Sequence, residues 1–221
     1  MLSITEENYL KSIYKIAESD GIPVSTNSVA ARMQTTAASV TDMIKRLSDK
    51  ELLEYEKYHG VQLTEQGSRV ATQLIRKHRL WEVFLTDQLG FRWDEVHDIA
   101  EELEHIQSPQ LIERLDRFLG HPRFDPHGDP IPDANGHWEH RQQVLLSELL
   151  PGQAGIVTGV NDHSPAFLQY LQQLGLTLGA RISLQETVAY DQSLQVVIEY
   201  GAPQNLSDKV ARNLYVHPSA E

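Results

Sequence analysis

The sequence predicts a mainly α-helical chain that ends in a small β domain, and three observations predict it. Residues 5–18 and much of 64–119 carry apolar side chains at helical spacing. Residues 25–63 read as two short helices followed by a hairpin. The last third breaks into short β runs with glycines at the turns. At 221 residues the chain exceeds the roughly 100–150 of one domain. We therefore expect three small units, at 1–70, 71–143 (with 120–143 a linker) and 144–221.

The elements follow in order. Tyr9, Leu10, Ile13, Tyr14 and Ile16 mark the first helix, with Thr5 as candidate N-cap and Gly21-Ile22-Pro23 ending it. Ser25 or Thr26 starts the second helix, which turns Val29, Ala30 and Met33 inward. Gln34-Thr35 makes a tight turn. Val40, Ile44 and Leu47 then form the apolar stripe of a third helix. Thr36, Ala38, Ser39, Thr41, Asp42, Lys45 and Arg46 are left outward, small, polar or basic, as a helix lying in a DNA major groove requires. The hairpin LLEYEKYHGVQL turns at His59-Gly60 with Lys57 near its tip. Helix, helix-turn-helix and two-stranded wing together describe a winged helix-turn-helix.

Thr64 caps a long helix whose apolar positions include Val70, Leu74, Leu80, Trp81, Phe84 and Leu85. Asp94 caps WDEVHDIAEELEHI, and Ser108-Pro109 opens one more helix through Leu119. GHPRFDPHGDPIPDANGHWEHR, rich in Pro, Gly, Asp and His, reads as a connecting loop. Beyond it, one helix (PAFLQYLQQLG) lies among short strands that suggest a small barrel.

Charge and composition restrict the chemistry. The net charge is −12, but residues 1–80 hold 11 Lys+Arg against 10 Asp+Glu, and the remainder 8 against 21. The acidity belongs to the second part, so the first can still present a basic face to phosphates. No apolar run approaches the ~20 residues of a membrane span and no signal-like segment opens the chain. A cytoplasmic protein with no membrane partner is expected. With no cysteine, any metal must be held by nitrogen and oxygen.

In HDIAEELEH, His97, Glu101, Glu104 and His105 stand at i, i+4, i+7 and i+8 and share one helical face; upstream, His78 and Glu82 stand at i and i+4. Imidazole with carboxylate, without sulfur, suits Mn(II) or Fe(II), with Zn(II), Co(II) and Ni(II) as competitors. Glu95, Asp98 and Glu102 point elsewhere, towards solvent. No nucleophile, phosphate loop or HExxH motif appears, so we expect no enzyme and no small-molecule substrate.

The winged helix-turn-helix, then HRLxE, then VHDxAxxLEH, closely resembles the DtxR/MntR family of metal-dependent transcriptional repressors, over essentially the whole chain. The resemblance implies a primary, activating metal site at Asn8, Glu101, Glu104 and His105, and an ancillary one at His78, Glu82 and His97. Asp125 and His127 match a place where streptococcal-type manganese regulators supply extra ancillary ligands. Asp162, in GVNDHS, matches an acidic residue that reaches the same site from a C-terminal SH3-like, FeoA-type domain; as residues alone, it is equally a capping Asp before Ser164-Pro165. Glu101 stands where iron-responsive members carry cysteine and manganese-responsive ones glutamate. The resemblance thus leans to Mn(II), with Fe(II) next and Zn(II), Co(II) or Cd(II) as substitutes. Asn8 replaces the usual aspartate, and Lys11 replaces a glutamate that some manganese members use for a paired-ion site. The resemblance further implies a homodimer on a palindromic operator, for which the apolar surplus at Trp81, Phe84 and Leu85 is either a candidate face or simply core. A metal-independent winged-helix protein, and a Mn- or Zn-dependent hydrolase, remain alternatives at this point.

Overall fold

A computed structural model describes residues 2–56 and 60–219. Helix α1 spans Ile4–Asp20 and is capped by Ser3, not by Thr5. Ser3 Oγ accepts the Glu6 N–H at 3.3 Å while the Glu6 carboxylate accepts the Ser3 N–H at 2.9 Å. This reciprocal box satisfies two donors at once, which a cap at Thr5, with Asn8 three residues on, does not offer. Helices α2 (Thr26–Arg32) and α3 (Ala37–Asp49) are capped by Ser25 and Thr36. Strands β1 (Leu53–Glu56) and β2 (Gly60–Leu63) pair antiparallel as the wing. Lys57 and most of the predicted wing turn lie outside the described residues. Leu10 and Ile13 of α1, Val29 of α2, Val40, Ile44 and Leu47 of α3 and Val61 of β2 are fully buried in one core. Fully burying each such side chain stabilises by about 1.5–3 kcal/mol.

Helix α4 (Glu65–Leu89) starts at Thr64 and ends at Gly90, in the left-handed conformation that suits glycine. It contacts α1 of the first unit as well as α5 (Val96–Leu103) and α6 (Pro109–Phe118) of the second. Of the two places the sequence left open for Trp81 and Leu85, dimer face or core, both residues take the core, packed with Leu80, Val96, Ala100, Ile112, Leu115 and Ile131, and Phe84 is half-buried against them. The apolar groups left outside are Leu89, Phe91, Leu111 and Phe118.

The predicted cap of α5 also moves. Asp94 receives Arg92 at 2.9 and 3.0 Å and Gln169 Nε2 at 2.7 Å, so its carboxylate is committed elsewhere. Glu95 occupies the cap position without a side-chain cap. The helix is shorter than HDIAEELEHI suggests: Glu104 and His105 lie in the turn that closes it.

Residues 120–143 are strapped to α4 although they hold no long element. Arg76 donates to Pro132 O at 2.6 Å, Gln73 to Ala134 O at 2.9 Å, and Arg79 to Pro130 O. Trp138 stacks on Tyr14 of α1, ring centroids 6.1 Å apart, with the Arg79 guanidinium over its face. At Gly128 (φ +89°) a Cβ would lie 2.0 Å from Thr158 O, so only glycine lets this strap approach the C-terminal unit.

That unit is one antiparallel sheet of β3 (Val144–Leu145), β4 (Ala154–Val160), β5 (Arg181–Thr187), β6 (Leu194–Ile198), β7 (Pro203–Leu206) and β8 (Leu214–Ser219), in the order β3-β8-β4-β5-β6-β7. Helix α7 (Pro165–Leu174) covers it with Leu168 and Leu171, and Trp93, from the α4–α5 connection, packs into the same core. Among the described residues no helix is long and apolar enough to cross a membrane.

Candidate metal centres and DNA-reading helix

Two helical turns of α4 place His78 and Glu82 inside the seam between the units. Both are buried, at 4 % and 2 % exposure. Their ligand atoms and one from His97 lie within 4.8 Å of one another, and Glu82 also belongs to a second such set with Asp125 and His127. The structure therefore brings together five of the residues assigned to the ancillary site around one carboxylate. Asp162 is not among them. Its Oδ1 accepts the Ser164 N–H at 2.9 Å, the capping geometry that its place before Ser164-Pro165 allows.

The histidines in this cluster are oriented from behind. His127 Nε2 donates to Trp93 O at 2.8 Å, and its buried Nδ1 has no hydrogen-bond partner, 3.8 Å from Glu82 Oε2. An orphaned buried imidazole nitrogen facing a carboxylate is what a cation ligand set requires, with the carbonyl fixing the ring from outside. The donors are hard oxygen and borderline nitrogen, so the residues fit a divalent first-row metal. Burial opposes a charge on His127, but Glu82 and Asp125 outweigh it and raise its pKa to about 9. Burial likewise resists ionisation of Glu82, and its contacts with His127, His78 and His97 overcome this and hold it well below the usual carboxylate range. His163, next to Asp162, stacks on His127 at 4.8 Å; burial depresses its pKa, keeping a neutral ring against the site.

The residues assigned to the primary site are arranged differently. Glu104, 1 % exposed, accepts from Lys11 Nζ at 2.6 Å and from His78 Nδ1 at 2.6 Å on the same Oε2. Burial works against its ionisation, yet the His78 hydrogen bond and the Lys11 charge hold its pKa below the ordinary value. His105 donates from Nδ1 to Glu7 Oε2 at 2.6 Å, and its Nε2 lies 3.7 Å from Glu104 Oε1. Gln107 also donates to Glu7, at 2.7 Å. Glu101 stays half exposed, 3.6 Å from Lys11, and lines a cavity together with Asn8. Among the described residues, Asn8, Glu101, Glu104 and His105 do not converge as the ancillary set does: the Lys11 ammonium lies among the carboxylates.

Sequence reasoning missed Glu7. Its neighbour Asn8 carried the motif, and only the fold reveals that Glu7, 6 % exposed, fixes His105 so that Nε2 faces Glu104. Outer carboxylates of this kind govern ligand basicity and orientation. Glu7→Ala is expected to weaken metal binding at His105 about 10- to 100-fold, with Glu7→Gln intermediate. Unchanged affinity by titration calorimetry would remove Glu7 from the site.

On α3, Ala38, Ser39, Asp42, Lys45 and Arg46 are exposed and Thr41 is half-buried. Thr36 Oγ1 accepts the Ser39 N–H at 3.2 Å, and Thr41 Oγ1 donates back to Ala37 O at 2.8 Å. Lys45 sits 3.9 Å from Asp42 with both side chains largely exposed, so its charge remains free to meet a phosphate. The outward face is thus small and polar at its N-terminal end and basic at its C-terminal end.

Residues 1–61 match the iron dependent repressor N-terminal DNA binding domain, 64–133 the iron dependent repressor metal binding and dimerisation domain, and 144–218 the FeoA domain. The chain is 30% identical over 202 residues to the iron-dependent repressor IdeR of Mycobacterium tuberculosis, covering 83% of this chain and 84% of that protein. It is 38% identical over 128 residues to the diphtheria toxin repressor of Corynebacterium jeikeium, an alignment spanning 58% of this chain and 53% of that one. Among solved structures, a manganese-dependent transcriptional repressor in complex with manganese superposes with a TM-score of 0.82 at 35% identity, over 96% of this chain and 98% of that one. The manganese regulator SloR gives 0.72 at 32%, over 97% and 98%. The family consists of DNA-binding repressors with a dimerisation domain, not of enzymes. The chain belongs to the DtxR family and is a metal-dependent transcriptional repressor.

Proposed function

We propose that the chain senses Mn(II), and Fe(II) less well, and represses metal-ion homeostasis and transport genes by binding palindromic operators as a dimer. The observation that carries this reading is the seam between α1 and the end of α5. Glu7 and Lys11 of the DNA-binding unit meet His105, Gln107 and Glu104 of the helical unit there, all within 2.7 Å. Whatever fixes that seam fixes α3 relative to the second unit, and hence relative to its copy in a dimer. For a two-fold dimer the recognition helices must lie about one DNA turn apart, roughly 34 Å.

A divalent cation held there would supply positive charge between Asn8 of α1 and the carboxylates of Glu101 on α5 and Glu104 in the turn that closes it. Glu101, Glu104 and His105 Nε2, with Asn8 from the other side, are the groups we assign to hold it. Glu82, Asp125, His127, His78 and His97 form the ancillary set, and Asp162 adjoins it through its neighbour His163, whose ring stacks on His127. The donor chemistry favours Mn(II) over sulfur-seeking metals, since no thiolate is present and the set is rich in carboxylate. Relatives solved with manganese support the same choice. Zn(II), Co(II) and Cd(II) are substitutes. On the outer side of the helical unit, Leu89, Phe91, Leu111 and Phe118 supply exposed apolar surface for the second copy.

The experiment is fluorescence anisotropy of chelated protein on palindromic duplexes selected from random DNA, with Mn(II), Fe(II) and Zn(II) titrated separately. Specific binding is expected to tighten about 10- to 100-fold with Mn(II), within the usual range of allosteric coupling. A Glu104→Ala, His105→Ala variant should lose the response. Equal affinity without metal and in the variant would overturn metal control through these residues.

A further inference from the structure

Between α1, the α2–α3 turn and α5 lies an open cavity of about 370 Å³, lined by Asn8, Lys11, Ser12, Lys15, Arg32, Met33, Gln34, His97 and Glu101. That size falls in the range of small-ligand sites, roughly 300–1,000 Å³. Its walls hold three basic side chains, Lys11, Lys15 and Arg32, against one carboxylate, Glu101, in a chain whose net charge is −12. Lys11 is committed to Glu104. Among the described residues neither Lys15 nor Arg32 has a carboxylate within 4.0 Å. Lys15 is half-buried, and burial pushes its ammonium pKa down, with the Lys11, Arg79 and Arg32 charges pushing further and Asp129 opposing them only in part. Like charges gathered in a partly desolvated hollow repel one another unless an anion joins them. Asn8 and Gln34 add amide donors to the same walls.

We infer that this cavity binds a small multivalent oxyanion of the phosphate class, held by Lys15 and Arg32. Bound there, the anion joins α1 to α2 within the DNA-binding unit; its two holding residues lie outside the metal sets proposed above, although Asn8, His97 and Glu101 of those sets line the same cavity. Two sources offer this chemistry: a free phosphate ion, and a backbone phosphate of DNA.

The test uses full-length, chelated, DNA-free protein, with thermal unfolding followed in sodium phosphate and in sodium chloride of equal ionic strength. Wild type is expected to unfold about 3 °C or more higher in phosphate at several times the dissociation constant. Arg32→Met, at an exposed position that leaves the core untouched, and Lys15→Met should both lose that increment. Identical responses to the two salts, or a full increment in both variants, would overturn the site. A second arm measures the salt dependence of DNA binding. A slope reduced by about one in Arg32→Met, with no phosphate effect on the free protein, would assign the residue to the DNA backbone and overturn the free-ion site.

Discussion

Glu104→Ala is expected to destabilise the chelated protein by about 3–5 kcal/mol, the usual cost of breaking one side of a buried ion pair. The Lys11 ammonium, 6 % exposed, and the His78 imidazole both end on Glu104 Oε2 at 2.6 Å; without it Lys11 keeps only the half-exposed Glu101 at 3.6 Å, and His78 Nδ1 loses its acceptor while Nε2 keeps Glu82. Urea unfolding followed by tryptophan fluorescence measures this directly. Glu104→Gln keeps the shape and one acceptor while removing the charge, so it should fall between wild type and alanine. A Glu104→Ala protein within about 1 kcal/mol of wild type would mean that the seam stands on its apolar contacts alone.

The second large effect concerns pH at the Glu82, Asp125 and His127 set. His127 titrates at about 9, raised above the ordinary imidazole value, so at neutral pH the metal-free protein carries a proton there. A cation at Nδ1 must displace it. Metal affinity at this set is therefore expected to rise about tenfold per pH unit from 7 to 9 and to flatten above, about 100-fold in all. Calorimetry across that range checks this, and His127→Gln should abolish the slope. A flat profile in wild type would remove His127 from the ligands. The fold of the metal-free protein should respond in the opposite sense. Since the folded pKa lies above the unfolded one, the stabilisation is complete below about 6.5 and is lost as pH rises through about 9. Burial lifts the Asp125 carboxyl to about 7 against the pull of Arg79 and His127, so its contribution also fades as pH rises through neutrality.

Much of the fold was legible in the sequence because its signals are local. Ser25, Thr64 and Ser108 each cap the helix that follows, as hydroxyl-bearing residues before an apolar-periodic stretch should. Local signals also misled where two of them competed. Thr5 and Ser3 compete for the first cap, and Ser3 prevails because Glu6 closes the box behind it; Asp94 cannot cap α5 because Arg92 and Gln169 hold its carboxylate. The candidate site was legible through residue types at one-turn spacing, such as His78 with Glu82. What spacing cannot show is a partner 98 positions away, as Glu7 is from His105, or a backbone carbonyl such as Trp93 O behind His127. The strap at 120–143 looked like free linker because its partners are arginines of α4, which sequence order places some fifty residues earlier.

His78 touches Glu104 through one ring nitrogen, at 2.6 Å, and Glu82 through the other, at 3.0 Å. One five-membered ring thus belongs to both candidate centres, and neither can be edited in isolation. A single substitution at either carboxylate re-addresses a proton on His78 and so perturbs the other centre at the same time. Effects of single substitutions here will not sum, and only a double-mutant cycle between Glu82 and Glu104 separates what each centre does by itself from what they do jointly.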